Sequence, residues 1–459
     1  MRESQRNADN QHANLHPVLL FPPERWRDHH RSGESQADEP VNLILSTARA
    51  FATIAIVRTA VYLILAAACA RAADVPMTLV SEDEAEPIHS AIVRKEAWTQ
   101  DAVRRLRADA DRHVREGPWT VVSERPKGVE LDPHDYYSEA SYWWPDPANP
   151  SGPYLRRDGD INPDRFTANR AALNSMCDAV FSLGAAAFFL DDTRYAQRAA
   201  RVVHTWFINP KTRMNPSLEH GQAVPHVDAG RAAGILDGRV LVRAVQGMEF
   251  LAQTGAWDRK DQAAVHRWFE EYLQWLAHSR NGIDERRSGD NHASWWTVQV
   301  AAVATFVEDP AAQRTAFNYY RDRILPGQIR TDGSAPREEV RTRSLSYSAF
   351  NLEAFAMLCR IAQAHGTDLW TVRARNGAAI GTVIDYLEPY LGDPRKWSKE
   401  QVAEFQNDGL YFLAFAGMGL KKPEYVALFR KLEHPEGAWL SFVDLMVGRW
   451  EAAAHQTRH

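Results

Sequence analysis

The chain has 459 residues, which is enough for two or three average domains or for one large repetitive domain. Hydrophobic residues make up 45% and charged residues 25% of it, so a packed globular core is expected. The net charge of −5 argues against nucleic acid as a partner. A polyanion is expected to bind such a protein only where Arg and His side chains are concentrated in one cleft.

The first 72 residues are predicted to be absent from the mature protein. Residues 1–57 begin with a polar stretch without periodicity, and we interpret them as a disordered or over-extended N-terminal segment. Residues 58–72 combine a basic residue, an apolar run and the small-residue pattern Ala70-x-Ala72, which together are typical of a secretory signal peptide. Residues 73–459 are then expected to form a single periplasmic or secreted domain, without stable membrane association after cleavage.

From about residue 92 onward, helical patterns alternate with loops, and strand-like alternation is scarce. The predicted helices include residues 291–307, 345–365, 371–391 and 401–419. Helices rich in Ala and Phe are followed by amphipathic helices that begin near Asp192, Asp309 and Thr367. This repeat of a helical hairpin predicts either a solenoid or a closed ring. Because the long polar loops fall at one end of the hairpins, we predict an all-α fold, an (α/α) toroid of about six or seven hairpins with a cleft at one end.

The stretch Ser288–Trp296 places an amide and an imidazole where a loop turns into a helix. Asn291 and His292 are predicted to lie in the first helical turn, where free backbone N–H groups and the helix dipole favour anions. A second polar cluster, residues 341–347, follows about fifty residues later and contains Arg and Tyr. These side chains are suited to removing a proton beside a carboxylate. The alternative is an Asn helix cap next to a surface His.

Two polar loops are candidates for substrate binding. Residues 135–147 are rich in Tyr and Trp beside Pro, which favours a platform for sugar rings over a buried plug. Residues 215–231 contain His, Gln and Arg that either line a cleft for carboxylates or cap the next helix. The predicted substrate-binding residues of these loops and of the 341–347 cluster are Tyr136, Tyr137, Trp143, Trp144, His220, Gln222, His226, Arg231 and Arg343.

Neither a metal site nor a cofactor is predicted. The three Cys residues are too few for a disulfide framework, and the sequence has no C-x-x-C, H-E-x-x-H or paired-His ligand spacing.

Four motifs occur in a characteristic order over roughly residues 90–420. They are Tyr136-Tyr137-Ser138 with Tyr142-Trp143-Trp144-Pro145-Asp146-Pro147, then Leu218-Glu219-His220-Gly221-Gln222-Ala223, Asp290-Asn291-His292, and Ser344-Leu345-Ser346-Tyr347. This set resembles the alginate lyase superfamily of polysaccharide lyases, whose members act on alginate or glucuronan.

The resemblance implies an (α/α) toroid and metal-independent β-elimination on an anionic polysaccharide. It also implies Asn291, His292, Arg341 and Tyr347 as the catalytic set. The superfamily's Arg precedes its Tyr by seven residues in the archetypal alginate lyases, and here Val340 occupies that place. We assign the role to Arg341, with Arg343 as the alternative, and this departure favours the glucuronan branch.

The chemistry assigns a role to each of these groups. The uronate carboxylate must be neutralised before the C5 proton can leave, and Asn291 and Arg341 supply donors for this. Tyr347 and His292 are the candidate base and acid. A free phenol has a pKa of about 10, so Tyr347 is expected to need a cationic neighbour, Arg341 or Arg343.

Two other functions are consistent with the same sequence. A glycoside hydrolase of helical-toroid type would need two carboxylates across the scissile bond, for which Asp290, Glu338 or Glu339 are available. A non-catalytic protein would bind oligouronate without turning it over.

Overall fold

The computed structural model describes residues 77–456, which belong to one compact unit. The predicted signal peptide at 58–72 lies outside the described residues. The α-helices, numbered in chain order, are α1 Glu82–Val93, α2 Gln100–Arg115, α3 Ala168–Leu190, α4 Thr193–Val203, α5 Leu241–Gln253, α6 Arg259–His278, α7 Arg280–Arg286, α8 Asn291–Phe306, α9 Pro310–Tyr319, α10 Leu325–Gln328, α11 Pro336–Glu339, α12 Ser344–Ala364, α13 Ile380–Leu391, α14 Phe412–Gly419, α15 Pro423–Lys431 and α16 Ala438–Gln456.

Six of these helices form a closed inner ring. Along the ring, α3 contacts α5, α5 contacts α8, α8 contacts α12, α12 contacts α14, α14 contacts α16, and α16 contacts α3 again. Every residue of α8 except His292 is buried, as expected for a helix that is apolar on all sides. Ala168–Leu190 is the one helix among the described residues that is long and apolar enough to cross a membrane, and 72% of its apolar window is buried within the ring.

Six further helices form an outer layer. Helix α4 packs on α3, α9 on α8, α13 on α12, and α15 on α14, so each of these outer helices covers the inner helix that precedes it. Helix α6 packs on α8, while α2 packs on both α3 and α16 and covers the place where the ring closes. The described residues therefore form an (α/α) toroid of six inner and six outer helices, which confirms the predicted fold class.

The N-terminal residues cover one end of the ring. Met77, Thr78, Leu79 and Val80 are all buried. The backbone N–H of Leu79 donates to Gln246 in the middle of α5, at 2.6 Å. Its carbonyl oxygen accepts from Arg360 near the C-terminal end of α12, at 2.7 Å. The opposite end, where the inner helices begin, remains open for the long loops.

The long loops carry the few strands of the described residues. These are β1 Tyr137–Glu139, β2 Trp143–Trp144, β3 Leu155–Arg156 and β4 His220–Ala223. Strands β2 and β3 form an antiparallel hairpin that pairs Trp143 with Arg156. Strands β1 and β4 pair in parallel, so the loops before α3 and before α5 are joined at the open end. Short 3₁₀ and π segments flank the helices at Ala97–Thr99, His204–Ile208, Ala232–Val240, Tyr320–Ile324 and Pro394–Lys396.

Candidate active site

A cleft lies at the open end of the toroid, among the residues where inner helices begin. Its lining combines cationic and aromatic side chains with one carboxylate, that of Asp290. The cationic and imidazole side chains are Arg156, Arg170, Arg231, His292 and Arg341, and the aromatic ones are Tyr142, Trp143, Tyr347 and Phe350. A protein with a negative net charge thus concentrates positive charge in one cleft, as binding of a polyanion requires.

Tyr347 lies between a guanidinium group and a second phenol. Arg341 Nη2 donates to the Tyr347 hydroxyl at 2.8 Å, and that hydroxyl donates to the Tyr142 hydroxyl, also at 2.8 Å. Burial and the contact with Tyr142 raise the pKa of Tyr347 well above its usual value, and the charge of Arg341 lowers it by less. The predicted cationic neighbour is thus present, but it does not lower this pKa overall. Tyr347 is instead a neutral phenol that can both accept and donate a hydrogen bond.

Arg341 is held by a carboxylate from another loop. Arg341 Nη2 donates to Asp158 Oδ1 at 2.8 Å and Arg341 Nε donates to Oδ2 at 3.2 Å, while Thr342 Oγ1 donates to Oδ2 at 3.1 Å. Burial of Asp158 opposes its ionisation, but these donors and nearby Arg156 lower the pKa of Asp158 to about 2. The guanidinium carbon lies 3.9 Å from the centre of the Tyr347 ring, so Arg341 is fixed against the phenol.

His292 is paired with a buried carboxylate. Nδ1 of His292 lies 2.7 Å from Oε1 of Glu285, a residue of α7 that is 2% exposed. Burial lowers the pKa of His292, but the charge and hydrogen bond of Glu285, followed by Asp290 and Glu338, outweigh it and raise the pKa to about 9. The imidazole is therefore protonated at neutral pH.

Asn291 is fully buried and lies beneath the cleft rather than in its lining. Its backbone N–H and its side-chain Nδ2 donate to the two carboxylate oxygens of Glu338, each at 2.7 Å. Burial, followed by the charge of Asp290, raises the pKa of Glu338 to about 7, against the hydrogen bonds from Asn291. The amide predicted to meet the substrate is thus bound to Glu338 in this structure.

The first turn of α8 is capped by protein side chains. Asp290 Oδ1 accepts from the backbone N–H of His292 at 3.1 Å, and Ser288 Oγ accepts from that of Ala293 at 2.9 Å. Glu338 accepts from the backbone N–H of Asn291. The backbone N–H groups that were expected to attract a substrate anion therefore already donate to protein side chains. The positive charge offered to an anion comes from side chains, above all His292 and the Arg residues.

The aromatic loop divides between the core and the cleft. Tyr136 and Tyr137 are 1% and 3% exposed, and their hydroxyls donate to Asp237 and Glu139. The predicted contact of these two with sugar does not fit their burial, because a buried ring offers no face for stacking. Trp143 lines the cleft, with the Arg231 guanidinium 5.7 Å from its ring centre. Trp144 is half-buried beside Arg157 and does not contribute to the cleft lining.

The 215–231 loop contributes two of its four predicted residues to the cleft. Gln222 and Arg231 line it, and Arg231 Nε donates to the carbonyl oxygen of Gln222 at 2.9 Å. His220 is instead close to the Ala229 carbonyl oxygen, 3.2 Å from Nδ1. His226 is exposed, with its ring 6.3 Å from that of Tyr154, and it does not line the cleft.

Arg343 differs from Arg341 in what it contacts. Its Nη2 donates to the carbonyl oxygen of Gly159, and the residue does not line the cleft. The structure therefore places Arg341, and not Arg343, against Tyr347.

Four residues that the sequence argument did not select stand out in the site: Tyr142, Asp158, Glu285 and Arg170. Tyr142 lies in the aromatic motif of residues 136–147, and Asp158 lies in the continuation of the same loop, so both had a local signal. The carboxylates of Asp158 and Glu285 are identified by their distances to Arg341 and His292. Across residues 77–456, no group of three or more His, Cys, Asp or Glu residues is arranged to hold a metal ion.

The cleft with its Tyr, Arg and His groups, at the end of an (α/α) toroid, is suited to binding an anionic polymer. Residues 121–397 match the family model described as alginate lyase, so the chain belongs to the alginate lyase family.

Individual relatives are more distant. The chain is 29% identical over 139 residues to an alginate lyase of Pseudomonas syringae pv. syringae, which is 30% of this chain and 35% of that protein. It is 26% identical over 146 residues to one of Pseudomonas syringae pv. tomato DC3000, which is 31% of this chain and 36% of that protein. The match thus spans about a third of the length of these curated relatives.

A solved structure matches over more of the fold. The crystal structure of an alginate lyase from Bacteroides ovatus superposes with a TM-score of 0.74 at 28% identity, covering 80% of this chain and 98% of that one.

Proposed function

We propose that this protein is a polysaccharide lyase that cleaves 4-linked polyuronate, alginate or glucuronan, by β-elimination. The observation that carries the proposal is the Tyr347 hydroxyl, hydrogen-bonded to both Arg341 and Tyr142 in a cationic cleft. Family membership supports the reaction class.

The positive side chains of the cleft hold the uronate. His292 and Arg341 face the carboxylate of the residue that loses its proton, and they stabilise the charge that develops there. Fixed donors in a site with little water contribute several kcal/mol to such a step, typically about 3 kcal/mol for one donor. Asn291 and Glu338 support the turn that carries His292, and Trp143 stacks on a neighbouring sugar.

The two phenols carry the protons. The C5–H bond breaks, its electrons form the C4=C5 double bond, and the C4–O bond breaks. The C5 proton passes to the Tyr347 oxygen as the phenolic proton of Tyr347 passes to Tyr142, and the proton of Tyr142 passes to the departing oxygen. Both phenols are neutral before and after, which agrees with the raised pKa of Tyr347. Proton transfer of this kind typically contributes about 10²–10⁴-fold.

The carboxylates available for a glycoside hydrolase do not fit that role. Glu338 is 1% exposed and hydrogen-bonded to Asn291, while Glu339 is 2.5 Å from Lys399 and its side chain is 7% exposed. Asp290 is the only carboxylate among the described residues that line the cleft, so these residues do not supply a pair of carboxylates across one glycosidic bond.

A product assay tests the reaction class. Purified protein is incubated with polymannuronate, polyguluronate, glucuronan and a neutral glucan, and product is followed by ultraviolet absorbance and by reducing ends. The lyase produces absorbance from the conjugated uronate on at least one polyuronate. Reducing ends without absorbance would establish a hydrolase, and binding without either product would establish a binding protein.

The predicted signal peptide supports a periplasmic or secreted location. Amino-terminal sequencing of exported protein is expected to start near Ala73, and a start before Val57 would contradict this.

A further inference from the structure

The pairing of His292 with Glu285 limits what the imidazole can do. Nδ1 faces the carboxylate at 2.7 Å, so Nε2 is the nitrogen left for the cleft. The His292 side chain is 22% exposed and that of Glu285 is 3% exposed. The carboxylate therefore lies behind the imidazole, where substrate does not reach it.

Burial lowers the pKa of His292, but the carboxylates around it outweigh burial and favour the protonated form. Glu285 on α7, Asp290 before α8 and Glu338 on α11 act on it from three elements. Burial raises the pKa of Glu285, and the charge and hydrogen bond of His292, with a smaller contribution from Arg231, oppose that rise and favour the ion pair. A protonated imidazole has two N–H donors and no acceptor, so His292 binds a carboxylate well and cannot take a proton from carbon.

The missing acceptor has a stereochemical consequence. In D-mannuronate and D-glucuronate the C5 proton and the C4 oxygen lie on the same face of the ring, whereas in L-guluronate they lie on opposite faces. Tyr347 and Tyr142 are hydrogen-bonded to each other at 2.8 Å, so both phenols serve one face. Elimination from L-guluronate requires a base on the other face. Among the described residues that line the cleft, His292 is the only imidazole, and Asp290, the one carboxylate, accepts from the backbone N–H of His292.

We propose that Glu285 fixes His292 as a carboxylate-binding cation and thereby restricts the enzyme to polyuronates whose C5 proton and C4 oxygen share a face. Chains of D-mannuronate and D-glucuronate are substrates, and blocks of L-guluronate are not. His292 keeps its proton throughout, while the C5 proton goes to Tyr347 and the departing oxygen takes its proton from Tyr142. Glu285 is a positioning residue, and the inference rests on the proposed lyase function.

The variant Glu285→Gln tests this, because Gln keeps the size and the accepting oxygen but removes the charge. With the pKa of His292 reduced to its ordinary value of about 6.5, its protonated fraction at about pH 8 falls about thirtyfold. We expect kcat/KM on polymannuronate to fall by a similar factor at that pH and to recover partly toward pH 6. The ratio of activity on polyguluronate to that on polymannuronate rises. Glu285→Asp, which keeps the charge, restores most of the wild-type profile.

Asp284→Asn is the matched control. Asp284 lies on the same helix, its side chain is 54% exposed, and it is 3.7 Å from Arg280. It is expected to leave both the pH profile and the substrate ratio unchanged.

If Glu285→Gln does not fold, two measurements on the unmodified enzyme test the same role of Glu285. NMR titration should show a His292 pKa above 8, and polyguluronate should be cleaved far more slowly than polymannuronate or glucuronan. Equal rates on polyguluronate and polymannuronate, or an ordinary His292 pKa, would overturn the inference while leaving the lyase intact. If no polyuronate gives unsaturated product, the proposed function itself is wrong.

Discussion

At the scale of single residues, the side chains of the site are held in hydrogen-bonded pairs. A buried phenol rarely ionises to the phenolate that would act as a base, because burial disfavours the charged form. Tyr347 overcomes this through Tyr142, to which its proton can move while it accepts another. Arg341 is likewise held by Asp158, and His292 by Glu285.

Tyr347→Phe removes one oxygen and both of its hydrogen bonds. We expect kcat to fall by about a thousandfold with little change in KM, because the oxygen acts in the transition state. Steady-state kinetics on the best polyuronate, with circular dichroism to confirm the fold, measures this. Tyr142→Phe should also be severely impaired, and the double variant should be little worse than Tyr347→Phe. Near-normal turnover of Tyr347→Phe together with inactive Asp290→Asn would support the hydrolase instead.

Arg341→Ala should impair both binding and turnover. Arg341 offers charge to the substrate carboxylate and donates to Tyr347, so kcat/KM should fall by about 10²–10³-fold. Arg343→Ala is the matched control, since Arg343 binds the Gly159 carbonyl and lies outside the cleft lining. The reverse order of the two effects would mean that Arg343 is the catalytic cation.

The sequence could identify these residues only in part. His292, Arg341 and Tyr347 stood in motifs, and the structure brings all three into one cleft. The partner of Asp158 was not predictable, because Arg341 lies 183 residues away in the chain and no local pattern connects the two. Glu285 is only seven residues before His292, but it lies on a different helix, α7. The burial of Asn291 depends on Glu338, which is also distant in sequence.

At the scale of elements, helical periodicity located the inner helices closely. The predicted helix 291–307 is observed at Asn291–Phe306, and 345–365 at Ser344–Ala364. The predictions 371–391 and 401–419 began too early. Gly377 and Gly409, at φ +83° and +69°, lie in the left-handed region just before the helices that start at Ile380 and Phe412. The two helices therefore start after these glycines, and the hydrophobic periodicity does not report such backbone conformations.

Of the two tryptophans of β2 in the β2–β3 hairpin, Trp143 lines the cleft and Trp144 does not. Trp143→Ala should raise KM by about tenfold, which is about 1.4 kcal/mol of binding free energy, with little change in Tm. Trp144→Ala is the control, because Trp144 donates from Nε1 to the Asp160 carbonyl at 3.1 Å and is outside the lining. It should affect Tm more than KM. A large loss of Tm in Trp143→Ala with unchanged KM would show that Trp143 is a structural residue.

At the scale of the whole molecule, the closed end of the toroid contains a buried carboxyl group. Glu249 is 0% exposed and accepts from the backbone N–H and the hydroxyl of Thr78, at 2.7 and 2.6 Å. Burial raises the pKa of Glu249 to about 8, although the bonds from Thr78 lower it in part. The N-terminal segment is thus hydrogen-bonded to the ring through Glu249, and burial favours the neutral form of this carboxyl group.

This group makes stability dependent on pH. The folded pKa of about 8 exceeds the ordinary value of 4.5, so the stabilisation by protonated Glu249 is complete below pH 4.5 and is lost as the pH rises to about 8. Glu249→Gln should remove this dependence and raise Tm at pH 8 by at least about 3 °C relative to the wild type. Thermal melts of both proteins across this range measure it. Parallel curves for the two would show that Glu249 does not titrate in the folded state.

The ring has a seam where α16 meets α2 and α3, and the seam lies across the ring from α8 and α12. Opening it would turn the ring into an open array and expose apolar faces on α3 and α16. It would also separate the loop before α3, which carries Tyr142 and Asp158, from Tyr347 and Arg341. An open array can lose an end repeat and keep the rest folded, but a ring cannot. Inactivation by heat should therefore coincide with global unfolding, with no shortened or partly open form that retains activity.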